Sequence, residues 1–162
     1  MTHRADLPGL KNRYLIESAD TDARFALIEH RIPPRTLAAP MHTHEREDEY
    51  SYVLSGRMGA QIGDELVDAG PGELVFKPRG IPHAFWNAGD EEAVLLELIS
   101  PGDFATYFDE ISPILSGEGP PDVEKLAEIQ ARYALTMDFE SIGPLIERHG
   151  LAPREAVPND LP

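Results

Sequence analysis

The chain has 162 residues, with 29 acidic against 14 basic side chains and a formal net charge of -15 at pH 7. Such a field repels phosphate backbones and anionic bilayers, so nucleic acid and membrane surfaces are excluded as partners. The absence of cysteine removes disulfides, thiol nucleophiles and thiolate metal sites, and no apolar run approaches the ~18 residues of a bilayer-crossing helix.

In chain order, residues 1–22 are polar and read as an N-terminal arm or edge segment. The opening stretch lacks the basic-then-apolar pattern of a secretory signal, which points to the cytoplasm. From 23 to 100 the pattern becomes short apolar or alternating runs at 25–28, 49–54, 58–62, 74–76, 83–86 and 93–99. Turn chemistry separates them: Pro33-Pro34, Ser55-Gly56, Gly63-Asp64, residues 69–72, residues 78–80 and residues 88–90. Short strands spaced by Gly, Pro, Asn and Asp predict an antiparallel sandwich or barrel. After Pro101 the period becomes helical. Phe104, Tyr107, Phe108 and Ile111 form one stripe, and Val123, Leu126, Ile129 and Tyr133 another. A third helix is predicted over about 141–149, stopped by Gly150. These C-terminal helices, within 101–150, are expected to pack outside the barrel. Residues 151–162, rich in proline, are expected to form a loose tail.

The chemistry is concentrated in two segments. In His42-Thr43-His44, residues two apart on a strand share a face, so both imidazoles can address one point. Glu49 is an odd number of residues further on and joins them only if a turn or bulge intervenes. Glu45, Glu47 and Asp48 compete with it, and register favours Glu49. In the second segment Pro78, Gly80 and Pro82 form a stiff turn that delivers His83 into the following strand.

Taken together, the two segments resemble the paired signatures of small bacterial cupins, and the chain is similar to the quercetin 2,3-dioxygenase-like members. His42, His44, Glu49 and Gly56 match the first signature; Gly72, Pro78, Gly80, His83 and Asn87 match the second. Nine fixed positions, each met with odds of ~1 in 20, coincide by chance on the order of 10⁻¹² times per placement. One departure is Thr36, where the family often has glycine, and it bears on a local turn. The resemblance implies an all-β fold, a double-stranded β-helix or cupin jelly-roll barrel over 23–100. It also implies one divalent transition metal held by His42, His44, Glu49 and His83. Three imidazoles and a carboxylate suit Fe, Mn, Ni, Co, Cu or Zn, whereas calcium or magnesium would want more oxygens.

The remaining side chains divide by strand phase. Ser51, Met58, Ala60 and Phe85 are candidates for pocket wall. His30 shares the phase of Ala26, Ile28 and Ile32, either lining the cavity or sitting as a hydrogen-bonded core residue. Asn87 either supports the ligands or caps its strand end. Tyr50 and Tyr52 should point away from the ligand face, while His3 and His149 have no partner in sequence. The implied function is a metal-dependent dioxygenase-type oxidoreductase acting on a small phenolic or enolic molecule, with Glu49 as the catalytic proton acceptor. The alternatives are a non-catalytic metal- or small-molecule-binding cupin and a metal-assisted isomerase or lyase. A homodimer is expected, since an open jelly roll has sheet edges to cover.

Overall fold

The structure, a computed structural model, describes residues 3–117 and 119–152. Ten strands build two antiparallel sheets: β1 (Lys11–Ile16), β2 (Ala26–Ile32), β3 (Leu37–His44), β4 (Asp48–Ser55), β5 (Met58–Ile62), β6 (Glu65–Ala69), β7 (Leu74–Lys77), β8 (His83–Asn87), β9 (Ala93–Ser100) and β10 (Leu135–Met137). The first sheet has the order β1-β2-β9-β4-β7 and the second β10-β3-β8-β5-β6. This is the two-sheet architecture of a jelly roll. No ladder joins one sheet to the other among the described residues, so the two sheets form a sandwich.

Alternation within the strands decides which residues enter the sandwich. On β4 the buried Glu49, Ser51 and Val53 face inward, while Tyr50, Tyr52 and Leu54 line the outer face, where Tyr50 stacks on Phe76 of β7 at 4.9 Å. All five residues of β8 are buried, because both of its faces are covered. His83, Phe85 and Asn87 point into the sandwich. Ala84 and Trp86 pack outward with Leu37 against Leu145 and Leu151, under the helix α3 (Ile142–His149). Gly150 ends α3 in the left-handed region at φ 60°, as its position predicts.

The helices α1 (Thr106–Leu115) and α2 (Val123–Arg132) behave differently from the expectation of an outer cover. Their stripes bury Tyr107, Phe108, Ile111, Leu126 and Ile129 with Ile28 and Ile99 of the first sheet and Leu135 of β10. They therefore close the mouth of the sandwich, and only α3 lies on the back of a sheet. The N-terminal segment is likewise more than an arm: β1 pairs with β2 along its length, and the Tyr14 hydroxyl donates to the Ala105 carbonyl at 2.6 Å. Leu151 is buried and the Ala152 amide donates to the Arg35 carbonyl at 2.6 Å, so the start of the expected tail is part of the fold; residues 153–162 lie outside the described residues. Among the described residues no helix is long and apolar enough to cross a membrane.

The motif glycines Gly56, Gly72 and Gly80 all adopt positive φ, between 75° and 89°, which explains them as turn formers. At Gly56 a side chain would also meet Ala93 Cα at 2.6 Å. Thr36 replaces the frequent family glycine at no cost in strain, because the left-handed residue of this turn is Arg35 at φ 51°. Asn87 serves the strand end. Its Nδ2 donates to the carbonyls of Ile32 (2.9 Å), Pro33 (3.0 Å) and Glu91 (2.7 Å), and its Oδ1 accepts from the Gly89 amide at 2.8 Å. Replacing the buried Asn87 with alanine strips four buried or part-buried backbone groups of a partner, so N87A should lose about 2–4 kcal/mol of stability in urea unfolding. A midpoint equal to wild type would show that the clamp is dispensable.

Candidate metal centre

His42 and His44 leave β3 on its inner face, and His83 of β8 is the direct register partner of His42. Glu49 arrives from the opposite sheet. Residues 45–47 carry the chain across the sandwich from β3 to β4, which resolves the parity problem without a bulge. The four side chains are buried, and one ligand atom from each lies within 4.8 Å of the others. Metal bonds of about 2.1 Å place ligand atoms about 3–4.2 Å apart, so small side-chain adjustments close the set around an ion.

The histidine tautomers support the same arrangement. His42 Nδ1 lies 2.7 Å from the Pro40 carbonyl and His83 Nδ1 lies 3.2 Å from the Ile81 carbonyl, so each donates its Nδ1 proton outward and leaves a lone pair on Nε2. His44 Nδ1 faces the buried Glu47 carboxylate at 3.5 Å. His44 Nε2 is buried without a hydrogen bond, 3.4 Å from Glu49 Oε1. His83 Nε2 lies 3.1 Å from Glu49 Oε2. A neutral imidazole cannot donate from both nitrogens, and burial lowers the pKa of His83, as burial and the neighbouring His83 and His44 lower that of His42. A divalent cation between Nε2 and the carboxylate would replace the missing proton. The residues present therefore fit the ion that the cupin resemblance implies.

Two charged groups that the sequence pattern did not single out extend the site. Lys77, at the end of β7, is 1% exposed and places Nζ 3.1 Å from Glu49 Oε2 and 2.9 Å from Glu97 Oε1. The ammonium also stands 4.5 Å over the Phe85 ring. The Ser51 hydroxyl donates to Glu97 Oε2 at 2.5 Å. Burial alone would raise the pKa of Glu49, but Lys77 and the nearby imidazoles hold it well below the usual carboxylate range. At Glu97 burial outweighs the attraction of Lys77 and the pKa rises. At Lys77 the two carboxylates overcome burial and keep the ammonium charged. A signal for Glu97 was present, since it is the one charged residue inside the apolar run of residues 93–99.

His42, His44, Glu49, Lys77 and Glu97 border a cavity of about 120 Å³. Apart from His30 and Gln130 its other walls are largely apolar, with Phe85, Phe104, Tyr107, Phe108, Leu126 and Leu135 prominent. Of the four expected wall residues only Phe85 borders it. Met58 and Ala60 pack with Val53, Val75 and Leu95 in a core cluster that Phe85 also joins, and Ser51 is occupied by Glu97. Their phase puts them inside the sandwich, but they do not reach the cavity. His30 lines the cavity and is also hydrogen-bonded, with Nδ1 2.7 Å from Asn12 Oδ1. His3 is stacked on Tyr14 at 4.1 Å and contacts Asp109 at 2.8 Å, and His149 is stacked on Trp86 at 4.1 Å, both away from the cluster.

Two antiparallel sheets holding a buried three-histidine, one-glutamate cluster define a jelly-roll protein with a candidate metal centre. Residues 28–99 match the Cupin domain family. Solved structures agree at the level of fold. KdgF from Halomonas sp. superposes with a TM-score of 0.54 at 19% identity, over 61% of this chain and 86% of that one. A protein described as a predicted oxalate decarboxylase from Thermotoga maritima gives 0.55 at 21% identity, over 62% and 91%. TT1209 from Thermus thermophilus gives 0.53 at 25% identity, over 62% and 90%. No curated protein matches the sequence.

Two stability effects follow from the buried charges. Lys77→Met leaves Glu49 and Glu97 without their cation, and the chelator-treated variant should be destabilised by about 3–5 kcal/mol; a loss below about 0.5 kcal/mol in urea unfolding would refute this role. His30 is fully buried, and desolvation, assisted by Lys77, depresses its pKa to about 3. Its unfolded value is 6.5, so below that pH the unfolded chain takes up a proton that the native chain refuses. Stability from this residue is present above pH 6.5 and is lost as pH falls from 6.5 towards 3. Between about pH 7 and pH 5, wild type should lose on the order of 2 kcal/mol more than His30→Gln. Equal pH slopes in the two proteins would contradict the assignment.

Proposed function

We propose that this chain is a mononuclear, metal-dependent enzyme of the dioxygenase type, acting on a small phenolic or enolic molecule. The observation that carries the reading is that the His42/His44/Glu49 side of the cluster borders an aromatic-walled cavity. The cavity of about 120 Å³ is close to the ~150 Å³ void that takes up benzene. It suits a single ring or a 1,3-dicarbonyl compound.

The ion belongs to the borderline class Fe, Mn, Ni, Co, Cu or Zn, from the N₃O donor set. When bound, such an ion acts as a Lewis acid on a coordinating oxygen and lowers its pKa. The protein's own part is to hold and protect. The carbonyls of Pro40 and Ile81 orient the imidazoles of His42 and His83. Lys77 keeps Glu49 ionised, so that its Oε2 can accept a hydroxyl proton from the substrate, and Glu97 with Ser51 keeps Lys77 in place. Phe85, Phe104 and Phe108 exclude water from the space beside the cluster.

A second reading is a metal-assisted isomerase or lyase. It is favoured by the polar side chains Lys77, Glu97, His30 and Gln130 on the cavity wall, where apolar groups were expected. Oxygen separates the two. Protein purified without chelator should carry a divalent metal by elemental analysis. Loaded with iron, nickel, manganese or copper, it should consume oxygen with catechol, phenol or acetylacetone. His42→Ala and His44→Ala should each lose the metal and the uptake. No uptake with any metal defeats the dioxygenase reading, and anaerobic exchange of a substrate C–H with deuterium would then support the second. Metal bound without either reaction would indicate a binding protein, and full metal retention by both variants would place the ion elsewhere.

A further inference from the structure

His30 is a buried imidazole on the cavity wall that the metal cluster does not use. It is 2% exposed, and it stands 6.3 Å from the Phe85 ring and 6.0 Å, edge to face, from Phe108. Its tautomer is set by a short relay. Asn12 Nδ2 donates to the Ala5 carbonyl at 2.8 Å, which turns Asn12 Oδ1 towards His30 Nδ1 at 2.7 Å. The reverse amide orientation would set two oxygens against each other. Oδ1 can only accept, so Nδ1 carries the proton and Nε2 of the neutral ring carries a lone pair.

Among the described residues Nε2 has no hydrogen-bond partner, and the nearest cation, Lys77, is committed to Glu49 and Glu97. The relay leaves Nε2 free to accept, on a residue that borders the same space as the ligand cluster.

We infer that His30 Nε2 is a specificity-determining acceptor for a monocyclic ligand with two oxygen functions, one directed to the His42/His44/Glu49/His83 cluster and the other a hydroxyl that donates to His30. The inference rests on the reading of that cluster as a metal site. The cavity volume suits a single ring, the aromatic walls favour an unsaturated one, and the lone pair selects a neutral O–H over an ether or a second carboxylate. Asn12 acts through His30 as a positioning residue.

The probes are catechol, resorcinol and hydroquinone, with phenol as reference, measured by calorimetry on metal-loaded and metal-free protein alongside elemental analysis. In wild type at least one diol should bind about tenfold tighter than phenol. His30→Leu should abolish that preference with metal content unchanged, and His30→Gln, whose amide can donate to Asn12 and present its oxygen to the cavity, should restore part of it. A preference that survives in His30→Leu, or no preference in wild type, overturns the inference. Absence of bound metal in wild type overturns the metal reading instead, and the effect of His30→Leu on diol binding is still read in metal-free protein. Wild-type nitrogen NMR gives a test free of folding effects. Nε2 of His30 should resonate as unprotonated in the free protein and move upfield when the preferred diol is bound, and a bound diol that leaves it unmoved refutes the hydrogen bond.

Discussion

Glu49 is the side chain on which both sheets converge. From its own sheet Lys77 approaches Oε2 at 3.1 Å; across the interior His83 approaches the same oxygen at 3.1 Å and His44 approaches Oε1 at 3.4 Å. A carboxylate buried this deeply is tolerated only when its charge is compensated, because desolvation of an unpaired ion outweighs the packing available to replace water. That requirement explains the neighbours. Lys77 compensates Glu49, Glu97 compensates Lys77, and Ser51 occupies the second oxygen of Glu97. The chain of partners runs across β7, β4 and β9, so the charge network also fixes the relative heights of three strands on the first sheet. On the second sheet the imidazoles of His42 and His83 are held by backbone carbonyls, which bring no charge inside.

The parts legible in sequence were those governed by local rules. Turn residues at positive φ, the switch from strand to helix after Pro101, the Gly150 stop and the two-residue spacing of His42 and His44 each depend on a few consecutive residues. The cluster itself was reached through motif spacing. What parity along a strand reports is the face a side chain takes, and not how far along the sandwich it lies. Met58, Ala60 and Phe85 are all inward and share one core cluster, yet of the three only Phe85 also borders the cavity. Nor does parity reveal Lys77. At the end of a short edge strand a lysine ordinarily reaches solvent, and only the pairing of Glu49 with Lys77 across β4 and β7 shows that this one turns inward.

The helices illustrate a related limit. An amphipathic stripe announces that a helix buries one face, and α1, α2 and α3 all do so. It does not say against what. For α3 the partner is the back of the second sheet, reached because Trp86 and Ala84 alternate with the ligand phase of β8. For α1 and α2 it is the open end, where Ile28, Ile99 and Leu135 leave apolar surface uncovered. The distinction depends on contacts far apart in sequence, and it turns two expected covers into walls of the site.

The consequence concerns where ligand choice resides. The stretch that matches the family, residues 28–99, supplies the cluster, Lys77, Glu97 and Phe85. Much of the rest of the cavity comes from outside it: Leu7 and Leu10 from the N-terminal segment, Phe104, Tyr107 and Phe108 from the α1 region, Leu126 and Gln130 from α2, and Leu135 from β10. Asn12, which sets the tautomer of His30, also lies before the matched stretch. Tyr14 and His3 tie that segment to the α1 region through Ala105 and Asp109, so these walls are braced against each other as well as against the sheets. Cupins that share the two-sheet framework need share none of this enclosure. Likeness of fold thus carries over the framework on which the cluster sits and leaves the size and polarity of the cavity to the segments that are this chain's own.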